Sequence, residues 1–360
     1  MPSSNSNALV SVIIPAHNAA RFIGFTLQSI MRQSHENLEI IVIDDGSTDN
    51  TLETVRGYAS MDSRIAILRQ KNNTGVAAAR NRGIEASSGS FIAPVDADDI
   101  WHPTAVTKML RRFEQPQSNL AVVYAWSLDI DEENCATGGV HASRSRGYVY
   151  PLLVFHNFIG NASSTMIEAS RLKSVGGYRT EFNIGCEDLD LYLRLAETCN
   201  YDFVPEFLVG YRRHLGSMSS NTVKLDTSHT QVIEKLRREH PGLPAFLFRL
   251  SKINFYVHLA RITAGGGADR RTFYWLRKAF KTDIFLSFLR IDFLHPICTR
   301  LFSIVFPGKK ELSRSAKSHN LVEECPTENF SPPPRGYLLL ALKTWIGSAL
   351  LFVVRRLERR

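Results

Sequence analysis

Two acidic clusters carry the strongest chemical signal in this 360-residue sequence. In FIAPVDADDIWHP, Phe91 to Pro103, an Asp-x-Asp pair formed by Asp96 and Asp98 follows a short apolar run. Carboxylate oxygens suit hard divalent cations, and Mg²⁺ or Mn²⁺ is commonly held by one or two carboxylates plus substrate phosphates. Such an ion would bridge to a diphosphate and stabilise it as a leaving group. Asp99 is placed to serve the helix that begins near Pro103. The second cluster lies in GCEDLDLYLRL, Gly185 to Leu195. Glu187 and Asp188 fall in the first turn of a helix whose apolar stripe is Leu189, Tyr192, Leu193 and Ala196. Acids in a first turn also stabilise the helix dipole, so position alone leaves their role open. Asp190 and Arg194 are spaced for an ordinary i, i+4 ion pair. A third acidic pair, Asp44–Asp45, ends another apolar run.

These side chains need a scaffold, and the first ~230 residues supply its rhythm. Val10 to Asn18 opens with a β-branched apolar run that stops at Pro15, as a buried parallel strand would. Ile23, Thr26, Leu27 and Ile30 then mark one face of a helix. Glu39 to Thr51 repeats strand, acid and glycine, with Ser47 in position to cap a helix carrying Leu52 and Val55. Ile65 to Leu68, Phe91 to Val95 and Ala121 to Trp126 read as further strands, and Gly75 to Ile84 as an Ala-rich helix. Alternation of this kind predicts an α/β fold with a mainly parallel sheet flanked by helices. Ligands of such sheets bind beyond the carboxyl ends of the strands, where the polar clusters sit.

In combination the segments VSVIIPAHN, VIDDGSTDNT, GVAAARNRGI, VDADD and GCEDLDLYLRL resemble, in order, the inverting glycosyltransferases of family 2, which have a GT-A (Rossmann-like) fold. The likeness spans roughly Val10 to Ser219. It implies a nucleoside-diphosphate-sugar donor, UDP above others, a saccharide or glycolipid acceptor, and Mn²⁺ or Mg²⁺ at Asp96 and Asp98. It implies that Pro15, Ala16 and Asn18 line the nucleotide pocket, largely through backbone, and that Asp45 first, or Asp44 second, accepts an N–H of the nucleobase. It favours Asp188 as general base, with Glu187 beside it tuning its pKa or touching the acceptor. Arg80 would face the diphosphate or lie exposed on its helix. His214, in YRRHLGSMS, would be a third metal ligand or a diphosphate contact. The implied setting is assembly of a cell-surface polysaccharide, lipopolysaccharide or glycolipid.

The charge is uneven. From Gln231 to Arg360 there are 23 Lys and Arg against 10 Asp and Glu, whereas the residues before carry 20 against 25. Basic segments seek phosphates or anionic surfaces. No nucleic-acid motif accompanies this one, and its cations are mixed with long apolar runs, so a membrane surface is expected and nucleic acid is not. The boundaries follow composition: a catalytic domain over 1–225, a helical accessory region over 226–306, a Pro/Ser-rich linker over 307–335, and an apolar then basic helix over 336–360. Lys343 near the middle of that last segment argues for lying on the bilayer over spanning it. Five cysteines without metal spacing predict free thiols in a reducing compartment. With no secretory signal visible, the expected place is the cytoplasm, at the inner face of the cell membrane. A nucleotidyltransferase would share the acids and the nucleotide pocket, but PAHNAARF lacks the Gly-rich basic loop such enzymes carry. An inactive sugar- or membrane-binding module would have no need of intact Asp96, Asp98 and Asp188.

Overall fold

The computed structural model describes residues 7–115, 117–182, 185–214, 216–264 and 270–288. The first half alternates as the hydrophobic rhythm predicts. Strands β1 (Val10–Ala16), β2 (Leu38–Asp45), β3 (Ile65–Gln70) and β4 (Phe91–Pro94) are separated by helices α1 (Ile23–Met31), α2 (Thr51–Met61) and α3 (Val76–Ala86). Then follow β5 (Ile100–Trp101), α4 (Ala105–Phe113), β6 (Leu120–Ile130), β7 (Ala136–His141), α5 (Tyr150–Phe155), β8 (Thr165–Glu168), α6 (Ala169–Ser174), α7 (Glu187–Ala196) and β9 (Asn200–Arg212). Four more helices close the described chain: α8 (Thr222–Glu239), α9 (Ala245–Ala264), α10 (Arg270–Thr282) and α11 (Ile284–Phe288).

The sheet order is β3-β2-β1-β4-β8-β6-β9-β5, with β7 on β6. β1 pairs in parallel with β2 and β4, β2 with β3, and β6 with β9. β8 lies antiparallel between β4 and β6, which therefore run the same way. The sheet is thus mixed. Its main strands share one direction, and β8, β5 and β7 run against them. The carboxyl ends of β1, β2, β4 and β9 consequently lie on one rim, which is what brings distant acids together.

Strand alternation divides the core in two. Val10, Val12 and Ile14 face a cluster with Ile23, Leu27 and Ile30 of α1 and Val55 of α2. Ile13, Ile41 and Ile43 face the other side, with Ala77 and Ala79 of α3. All four stripe residues foreseen on α1 are buried. Each buried Ile or Leu contributes roughly 1.5–3 kcal/mol over leaving it in water. Gly83 sits where α3 crosses the sheet, and a Cβ there would lie 2.6 Å from Ile13 and 2.7 Å from Ile43.

Three local readings are corrected by the coordinates. Ser47 does not cap α2: that helix begins at Thr51, whose N–H is met by Asp49 Oδ1 at 3.0 Å. Asp99 does not serve α4. It is buried and accepts from Ser163 Oγ and from the Arg212 N–H, tying β9 to the Asp-x-Asp loop. The division at 225/226 falls inside α8, and Val232, Ile233 and Leu236 of α8 with Leu247 and Phe248 of α9 pack into the same cluster as α7. α10 packs on α9 through Trp275 and Leu276 against a cluster holding Ile253 and Val257. The linker over 307–335 and the segment over 336–360 lie outside the described residues, as does 289–306. Among the described residues no helix is long and apolar enough to cross a membrane.

Candidate active site

The first strand-end loop is stitched to the second. Asn18 adopts a left-handed backbone, φ 50°, and its Oδ1 accepts from the Thr48 N–H at 2.9 Å. Its own N–H goes to Ser47 Oγ at 3.1 Å, and the Ala19 N–H to Thr51 Oγ1 at 2.7 Å. Gly46, at φ +70°, allows the backbone of Asn72 to approach where a Cβ would collide at 2.7 Å. Asp45 is committed to the β3–α3 connection: Oδ1 accepts from Gln70, the Thr74 N–H and the Thr74 hydroxyl, and Oδ2 from the Gly75 N–H. Asp44 accepts from the Ser47 N–H at 3.2 Å, while its buried Oδ2 has no hydrogen-bond partner. Pro15 lies within β1 and Ala16 ends it, opposite Asp44. Pro15, Ala16, Asn18, Asp44 and Asp45 thus belong to one cluster at the ends of β1 and β2. The carboxylates there largely shape the loops.

Of the two readings of Arg80, exposure on α3 is excluded: it is 1% exposed, its guanidinium 5.1 Å from the centre of the Tyr178 ring. Nη1 donates to Glu187 Oε1 at 2.6 Å and Nη2 to Asp96 Oδ1 at 2.5 Å. One cation therefore joins the Asp-x-Asp loop to the first turn of α7, because a buried charge must be paired to be tolerated. Asp98 turns the other way, its Oδ2 2.9 Å from His214 Nε2. Asp96 and Asp98 remain partly open to solvent. Arg212 braces this region: its Nε donates to the Asp98 carbonyl, Nη1 to the Asp131 carbonyl and Nη2 to Asn134. Sequence reading passed over Arg212, although two consecutive arginines, Arg212 and Arg213, at a strand end were a usable signal.

Among the described residues no three His, Cys, Asp or Glu side chains converge as a metal cage. Asp98 with His214 makes a smaller donor pair, one carboxylate and one imidazole, while Asp96 is held by Arg80. Such a pair fits an ion that takes the rest of its shell from phosphate and water.

α7 begins under constraint. Gly185 and Cys186 both have positive φ, 98° and 65°, so a non-glycine residue holds a left-handed conformation just before Glu187. Strain of this kind costs on the order of 1–3 kcal/mol and persists where the surroundings impose it. Here Ser228 of α8 donates to the Gly185 carbonyl, and the apolar stripe of α7 is buried. Asp190 is paired with Arg194 at 2.8 Å, as expected, and also with Arg179. Asp188 accepts from its neighbour's N–H at 2.7 Å and, at 3.4 Å, from Asn157. Burial and the adjacent Glu187 carboxylate push its pKa up to about 7, with Arg80 opposing them. A carboxylate at that pKa can take a proton near neutrality. Asp188, Glu187, Arg80 and Asp96 line one cavity of about 690 Å³, whose far wall comes from α9. Trp101, Trp126 and Tyr192 are buried in the core.

Comparison with known proteins bears on the family and the fold. Residues 11–162 match the model of "Glycosyl transferase family 2". An uncharacterised glycosyltransferase of Haemophilus influenzae is 34% identical over 246 residues, 64% of this chain and 73% of that protein. The crystal structure of S. aureus TarS 1–349 is similar with a TM-score of 0.55 and 15% identity, covering 82% of each chain, and that protein has also been solved with UDP. The mannosyltransferase PcManGT from Pyrobaculum calidifontis, in complex with GDP-Man and Mn²⁺, gives a TM-score of 0.52 at 16% identity over 83% of this chain and 88% of its own. At such identities the two structures speak for the GT-A fold alone.

Proposed function

The chain belongs to glycosyltransferase family 2, and on that footing we propose that it transfers a sugar from a nucleoside-diphosphate donor, UDP first among the nucleotides, to a hydroxyl of a saccharide or lipid-linked acceptor, with inversion. The observation that carries the reading is the placing of Asp188, with its pKa near 7, on a cavity shared with Asp96 of the Asp-x-Asp pair. Asp188 takes the proton of the acceptor hydroxyl as its oxygen bonds to the anomeric carbon and the bond to the diphosphate breaks. Glu187 and Arg80 hold the first turn of α7 in register with the Asp-x-Asp loop. Asp98 and His214, with Asp96, would hold Mn²⁺ or Mg²⁺, whose charge would stabilise the leaving diphosphate. In support, Asp96 and Asp98 follow the parallel strand β4, at the rim where α/β sheets bind ligands, and relatives in fold have been solved with UDP and with GDP-Man and Mn²⁺.

A thermal-shift panel of nucleoside-diphosphate sugars with and without Mn²⁺ tests the donor. A ligand specific to the native state raises stability by RT ln(1 + [L]/Kd), so the true donor stands out, and a panel without any shift contradicts the proposal. Asp98→Ala removes a direct ligand and is expected to weaken Mn²⁺-dependent UDP binding by more than about tenfold in calorimetry, with the unfolding temperature little changed. Unchanged binding sinks the metal assignment.

The same reading puts the chain at the inner face of a membrane, supported by the cation excess after Gln231. Fractionation at low salt, high salt and alkaline pH checks it. Release by salt or alkali is expected, and a wholly soluble protein at low salt refutes the contact.

A further inference from the structure

Helix α10 has a packed face and an open one. Trp275, Leu276 and Ala279 are buried in a cluster with residues of α9, and Thr272 shares a hydrogen bond with Thr263 of α9. The open side carries Arg270, Phe273, Tyr274, Arg277 and Lys281, all exposed. At 3.6 residues per turn these five fall within an arc of about 100°, the cations down its middle and a ring on either side. Phe273 is 44% and Tyr274 51% exposed, and Ile284, at the start of α11, is 63% exposed. Large apolar side chains gathered in water mark a contact surface. No Asp or Glu occurs in Arg270–Thr282, and the acids nearby are engaged: Asp226 accepts from Lys278 at 2.6 Å, and Asp283 pairs with Arg249 at 3.4 Å. Arg277 and Lys281 stand at i, i+4, where like charges weaken a helix, a cost that neighbouring anions relieve.

The stripe is poorly made for nucleic acid. It holds no Asn, Gln, Ser or Thr to read a base edge, and Ile284 has no ring face for a base to stack on. Cations beside rings and an aliphatic side chain suit the headgroup region of a bilayer, where amphipathic side chains settle with their polar ends in water. The sequence that follows, 289–306, keeps this composition, with Phe, Leu and Ile around Arg290 and Arg300. α9, on which α10 packs, is itself seated in the catalytic core through Leu247 and Phe248. We propose that the stripe of Arg270, Phe273, Tyr274, Arg277 and Lys281 lies on an anionic lipid surface, its cations against the headgroups and its rings, with Ile284, at the headgroup–acyl boundary. The inference rests on the membrane reading above and names the surface that makes the contact.

The test is co-sedimentation of the full chain with vesicles of phosphatidylcholine alone and of phosphatidylcholine mixed with phosphatidylglycerol. Binding to the mixed vesicles is expected, with little to phosphatidylcholine. Each cation near an anionic surface is worth about fivefold in affinity, so replacing Arg270, Arg277 and Lys281 together by Gln should weaken binding roughly a hundredfold. Phe273→Gln should weaken it several-fold and leave the charge unchanged. UDP affinity is expected to be unaltered in both, because the packed face of α10 is untouched. Arg237 and Arg238, exposed on α8, serve as the control, and their joint replacement by Gln should change binding by less than about twofold. An equal loss per cation in the control means generic attraction and overturns the proposal. So does tighter binding to a homopolymeric RNA than to the mixed vesicles. Undiminished vesicle binding by the triple variant also overturns it, while leaving the membrane reading in place. A wild type that binds UDP but no vesicle removes the membrane reading, and this surface with it.

Discussion

Asp188→Asn is expected to lower turnover by roughly 10²–10⁴, the usual worth of a positioned general base. Asparagine keeps the shape of the side chain and its contacts with the Leu189 N–H but has no basicity near neutral pH. Donor affinity is expected to change little, because Asp188 stands on α7, apart from the loops after β1 and β2 proposed to hold the nucleotide. In the wild type, burial and Glu187 raise the Asp188 pKa to about 7, so the carboxylate is the active form and turnover should rise with pH through that value. The Asn variant should lose this acid limb. Turnover measured across pH, beside UDP affinity by calorimetry, reads both effects. Near-normal turnover in the variant would move the base elsewhere, with Glu187 the neighbouring choice.

Arg80→Ala should be the most destabilising single change in the site. It strips the guanidinium that pairs with Glu187, which is 4% exposed, and with Asp96. Breaking a buried pair by removing one partner costs about 3–5 kcal/mol, since the remaining charge has no water to return to. Lysine restores the charge but not the fork that reaches two carboxylates, so Arg80→Lys should fall between. The kinetic signature has a definite sign. Arg80 holds the Asp188 pKa down, and removing its positive charge raises that pKa. More alkaline solution is then needed to deprotonate the base, and the acid limb of the residual activity moves to higher pH. Urea unfolding and pH–rate profiles check the two halves. A loss below about 1 kcal/mol with an unmoved limb would mean that Arg80 neither bridges nor tunes.

What sequence could reveal was local. The stripe on α1 and the Asp190–Arg194 pair follow from helical periodicity alone, and both are present. The ends of β1, β2 and β4 were legible from short β-branched runs ending in Pro, Asp or Gly. Arg80 was not legible, because its partners lie 16 and 107 residues away and only the closed sheet brings them to it. Its place on an Ala-rich helix gave no hint that its face was the buried one. Asp99 misled for a related reason. A carboxylate just ahead of a helix start expected near Pro103 looks like a cap, yet β9, more than a hundred residues on, supplies the N–H it accepts. The boundary at 225 followed a change in composition, whereas packing of α8 and α9 against α7 ignores composition and follows shape.

The account turns on a single displacement in which Asp188 activates the acceptor while the diphosphate departs from the opposite face. Proton NMR of the glycosidic bond made from an α-linked UDP-sugar tests it most directly. The account predicts a β-linked product. An α-linked product would require a second displacement or a same-face attack, and would contradict it.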